Sequence, residues 1–73
     1  MARVAALGEQ VRVAGLALAG VTVLVAEHPD AVRTAWRDME EDVGLVILTP
    51  AAADVLGPEV CERVSPLTAV LPP

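Results

Sequence analysis

"VAGLALAGVTVLVA", Val13–Ala26, runs fourteen residues without a charge in a chain whose net charge is −5. Read as one helix, it would be part of a membrane span. Read as a helix, a turn and a strand, it is one unit of an alternating α/β fold. A spanning helix takes about 20 consecutive apolar residues. Extension of this run meets Arg12 and Glu9 on one side and Glu27, His28 and Pro29 on the other. Gly20 stands in its middle, and glycine is the residue that most readily ends a helix in the left-handed conformation. "VTVLV" follows, with the β-branched residues that favour strands. The stretch therefore predicts a helix over Glu9–Ala19, a stop at Gly20 and a strand over Val21–Ala26, with no membrane insertion.

The same alternation extends outward in both directions. "RVAAL", Arg3–Leu7, reads as a short buried strand that ends at Gly8. "HPDA" opens a second helix, with Pro29 at its first position and Asp30 complementing the positive end of the helix dipole. Val32, Ala35, Trp36 and Met39 then fall on one apolar stripe, and Glu40–Asp42 closes the helix on the solvent side. "GLVILT", Gly44–Thr49, is the clearest strand, an uninterrupted apolar run of the kind found in parallel sheets covered on both faces. Thr49 and Pro50 repeat the helix-start signal as N-cap and first turn. Gly57-Pro58 splits the third helix into two short pieces, Ala51–Leu56 and Glu59–Val64. Leu67–Leu71 closes as a strand before two prolines.

The order is β-α-β-α-β-α-β. Short links between alternating elements imply right-handed crossovers and a parallel sheet. The natural four-stranded arrangement is flavodoxin-like, with strand order 2-1-3-4. A chain of 73 residues reads as a single α/β domain, residues 1–73, whose small core leaves room for partners to add stability.

Composition narrows the function. Ten acidic residues against five basic ones exclude a basic face for nucleic acid, and a chain without Phe or Tyr offers no stacking platform for bases. No Lys/Arg cluster is present to hold an anionic membrane surface. Cys61 is the single cysteine, so no intrachain disulfide forms and a reducing compartment is expected. Met-Ala-Arg imitates the start of a signal peptide, but Glu9 precedes the apolar run, so no secretion signal is expected.

In this fold, ligands sit at the C-terminal ends of the strands. After the first strand, Gly8, Gly15 and Gly20 are too widely spaced for a pyrophosphate loop. After the second, His28 lies between Glu27 and Asp30 with no second His to complete a metal site, and reads as a polar helix start. After the third stands Thr49, where a phospho-accepting receiver would need Asp, and the chain has no Lys at all. Cys61, beside Glu59 and Glu62, lacks a positive neighbour to activate its thiol and reads as structural. Trp36 reads as core. No catalytic residue, metal ligand or cofactor is expected.

What remains is a surface. On the first helix, Val11, Ala14, Gly15 and Leu18 make one face, and Val13, Leu16 and Ala17 point away from it. Arg12 is the only charge between Val11 and Ala19. A helix apolar on nearly all sides, on a sheet this small, offers a patch to another protein. Val13, Leu16 and Ala17 are the expected partner-binding residues.

These residues also carry a family resemblance. A short strand ending in Gly, an acidic residue, then "GLALAGV", Gly15–Val21, resembles the Gly-(Phe/Leu)-x-Leu-Ala-Gly-(Val/Ile) signature of the F subunit of V/A-type rotary ATPases. "VAEHPDAV", "EDVGLVILTPAAAD" and "PLTAVLPP" resemble later segments of that family in order, so the likeness spans about Arg3 to Pro72. Leu16 stands where the family usually has Phe, Ala17 where a basic residue is common, and the sequence stops at Pro73, where the family usually continues into a C-terminal helical segment. The resemblance implies a non-catalytic subunit of the central rotor stalk. It would contact the shaft subunit and the catalytic head on the cytoplasmic face of the membrane, coupling ATP hydrolysis or synthesis to proton or sodium transport. The competing expectation is a stand-alone flavodoxin-like signalling or small-ligand module without a phospho-acceptor Asp.

Overall fold

The computed structural model describes residues 3–39, 41–62 and 66–72. Four strands, β1 (Arg3–Gly8), β2 (Thr22–Val25), β3 (Val43–Leu48) and β4 (Leu67–Val70), form one sheet in the order β2-β1-β3-β4. Every pairing is parallel. The architecture is the flavodoxin-like α/β fold that the alternation implies.

The helices are α1 (Gln10–Val13), α2 (Pro29–Arg37), α3 (Pro50–Leu56) and α4 (Pro58–Cys61). Pro29, Pro50 and Pro58 each occupy the first turn of their helix, where a missing N–H costs nothing. His28 is the N-cap of α2, exposed and without a side-chain capping bond. Thr49 does cap α3: its Oγ1 accepts from the Ala52 N–H at 3.3 Å. Gly57, at φ 87°, takes the left-handed backbone that separates α3 from α4. The expected continuation of α4 to Val64 runs into 63–65, which lie outside the described residues, as do Glu40 and the side chain of Cys61.

The first crossover departs from expectation. The helix expected over Glu9–Ala19 is α-helical only to Val13, and Ala14–Ala19 continue as a 3-10 helix. Ala and Leu are strong α-helix formers, so propensity does not explain the change; Gly15 is the one weak helix former in the run. The tighter coil lets six residues reach Gly20, which stops the helix at φ 83° as its sequence position implies. β2 is correspondingly shorter than Val21–Ala26, and it lies at the sheet edge, half-buried with Val25 exposed, rather than covered on both faces.

The main core lies on one face. Ala5 and Leu7 of β1, Val46 and Leu48 of β3, Val32 of α2 and Ala52 of α3 are buried in one cluster. Ala35, Trp36 and Met39 pack against it, which is the stripe read from the sequence. Side chains alternate along a strand, so Val4, Ala6, Leu45 and Ile47 face the other way, and by register so do Leu67 and Ala69. The β1-to-β2 and β2-to-β3 connections run in opposite directions along the sheet. Right-handed crossovers therefore place the first connection on this second face, opposite α2. It covers the β1–β2 half, where Ala6 is fully buried. Over β3 and β4 the face stays partly open, with Leu67 and Ala69 exposed and Leu45 and Ile47 half-buried.

Candidate functional site

The C-terminal ends of the strands are where this fold places chemistry, and here they hold a tie between Glu9 and Thr49. β1 ends at Gly8, whose carbonyl accepts from the Ala26 N–H at 2.9 Å, while the Leu7 carbonyl accepts from the Thr49 N–H at 3.2 Å. Glu9 comes next in extended backbone as the N-cap of α1, its carbonyl accepting from the N–H groups of Arg12 and Val13. Its carboxylate turns toward β3, where the Thr49 hydroxyl donates to Oε1 at 2.5 Å. Thr49 is fully buried, and a Cβ on residue 8 would overlap its side chain, so the glycine is the gap into which Thr49 fits. The Thr49 hydroxyl bond holds the Glu9 carboxyl below its ordinary pKa. Its own backbone bond acts in the same sense, partial burial opposes, and Arg12 adds a smaller lowering.

A cleft of about 130 Å³ opens beside this tie, lined by Glu9, Glu27, His28, Val32 and Ala52 among others. The cleft sets His28 with Glu9 and Glu27 among apolar walls, and among the described residues no three potential metal ligands come together. The Thr49 hydroxyl that meets the Glu9 carboxylate is fully buried and also caps α3.

The first crossover is a better candidate for function. Its outward surface is apolar: Val11 is 90% exposed and Leu18 is 95% exposed. Ala14, Gly15, Ala17 and Ala19 are exposed beside them. Arg12 reaches from the same segment to the carbonyl of Pro72, just past β4. Val11 and Leu18 are the most exposed of the large apolar side chains among the described residues.

The expected docking residues Val13, Leu16 and Ala17 are therefore not brought together on one surface. Val13 is 0% exposed, while Leu16 is half-buried and Ala17 exposed. The physical reason is the phase of the segment. Glu9 turns inward to Thr49, and Val13 and Leu16 follow it at i+4 and i+7, stacked against the sheet. Val11 and Leu18, taken from the sequence as the opposite face, are the ones left in solvent. The spacing of Glu9, Val13 and Leu16 carried this signal, but only the partner of Glu9, forty residues away, orients it.

Comparison with known families matches residues 4–72 to the family of the ATP synthase (F/14-kDa) subunit. Comparisons with curated proteins and with solved structures return no match. The family match spans nearly the whole chain and coincides with the segments from "GLALAGV" to "PLTAVLPP", so the chain belongs to the family of the ATP synthase (F/14-kDa) subunit.

Proposed function

We propose that this protein is a non-catalytic central-stalk subunit of a V/A-type rotary ATPase. In this reading it rides on the shaft subunit beneath the catalytic head, at the cytoplasmic face of the membrane. There it helps couple ATP hydrolysis or synthesis to proton or sodium transport. The observation that carries the reading is the family match over residues 4–72. Two features support it. No helix among the described residues is long and apolar enough to cross a membrane, in keeping with a peripheral subunit. The outward crest of the first crossover gives a helical shaft an apolar surface to pack on, with Val11 and Leu18 at its centre and Leu16 and Ala17 at its margin.

Co-expression with the shaft subunit of the same complex tests the proposal. The two chains are expected to co-purify through size exclusion as one stable species. Separate elution at micromolar concentration would overturn the stalk assignment. A thermal-shift screen of nucleotides, divalent metals and phosphodonors is the complementary test, and the stalk reading expects no shift in the melting temperature.

A further inference from the structure

We infer that the hydrogen bond from Thr49 to Glu9, seated in the gap left by Gly8, sets the rotational phase of the first crossover and so decides which of its apolar residues face solvent. Besides this tie, Arg12 anchors the start of the segment to the Pro72 carbonyl, and the helix itself is weakly determined. It has one turn of α-helix followed by 3-10 helix, and neither piece has a side-chain capping bond. Its side chains are all apolar apart from Gln10 and Arg12, so hydrophobicity alone does not choose a face. Rotation by about half a turn would exchange the inward Val13 and Leu16 for Val11 and Leu18, apolar side chains of the same types.

Glu9 removes that freedom. It is the residue at which the chain leaves β1, and its side chain is fixed to a fully buried partner. One hydroxyl serves two helix starts: it donates to Glu9 before α1 and accepts from Ala52 in α3. The first crossover is thereby indexed to the third strand, across the sheet, rather than to its own weak periodicity. With Glu9 turned inward, Val13 is carried onto the sheet and Leu18 out of it. Glu9 is a positioning residue, acting on the crest without belonging to it.

The inference concerns the free chain and stands apart from the stalk assignment, so its test needs no partner. In a Cys61→Ser background, single cysteines at Leu16→Cys and Leu18→Cys are labelled with a maleimide. The exposed position is expected to react faster by on the order of tenfold. Glu9→Ala and Thr49→Val are each expected to collapse that ratio toward one. Glu9→Gln, whose amide oxygen still accepts from the hydroxyl, should retain it. Far-UV circular dichroism confirms that each variant is folded. Should Thr49→Val fail to fold, the Glu9→Ala and Glu9→Gln pair decides alone. An unchanged ratio in Glu9→Ala, or an equal collapse in Glu9→Gln, overturns the inference. Failure of the chain to bind a shaft subunit leaves it intact.

Discussion

At the scale of single residues, the molecule depends on the meeting of Gly8, Glu9 and Thr49. Gly8→Ala places a methyl group where the Thr49 side chain lies, in a fully buried site that cannot yield. Overpacking of this kind costs roughly 1–3 kcal/mol, and a urea titration should show the loss as a lower midpoint with an unchanged slope. Glu9 makes a second, pH-dependent contribution. Its folded pKa lies below the ordinary 4.5, so the unfolded chain binds its proton first as pH falls. The contribution is complete above that value and is lost as pH descends through the folded pKa. Arg12 on its own element and Glu27 and His28 across the cleft share the site, so the comparison is with Glu9→Gln. The stability difference between wild type and this variant should shrink between pH 7 and pH 3. A difference independent of pH would remove Glu9 from the titration.

At the scale of elements, the first crossover is where sequence and structure part. Five of its eight residues from Val11 to Leu18 are Ala, Gly or Val, side chains too small to declare a face by volume. The turn from α to 3-10 geometry at Ala14 then shifts the phase of everything after it. A 100° wheel therefore separated the residues into two sets without fixing their exposure: Val13 is buried and Leu16 half-buried, while Ala17 is exposed with Val11 and Leu18. By contrast, α2 was legible, because a bulky stripe from Val32 to Met39 alternates with Arg33, Arg37 and Asp38. β3 was legible because its apolar run is unbroken. The Glu9–Thr49 contact was not, since each residue has an ordinary local reading, as helix-start acid and as N-cap, and only the parallel register of β1 with β3 joins them. The corrected phase gives a direct prediction. Val13→Ala opens space in a fully buried position and should cost roughly 2 kcal/mol of stability. Val11→Ala should leave the melting temperature nearly unchanged, as expected for an exposed site.

At the scale of the whole molecule, the sheet is unevenly covered. One face is packed by α2 and α3, and the other is covered over β1 and β2 but partly open over β3 and β4. Native-state hydrogen exchange should therefore rank the strands, with amides of the central β1 and β3 slowest and those of the edge strand β4 faster. The strand order was readable from alternation and short links alone, because handedness leaves few other routes for a chain this short. The family was readable too, since its motifs recur in order along the sequence and the match covers residues 4–72. In the proposed function, this ATP synthase F-family chain docks through the apolar crest it turns away from its own sheet. Titration of the shaft subunit with wild-type protein and with Leu18→Glu, a change at a 95% exposed position, tests it most directly. The account predicts a loss of affinity on the order of tenfold to a hundredfold, because a carboxylate would have to be buried without a partner, with an unchanged melting temperature for the free variant. Equal affinity of the two proteins would contradict it.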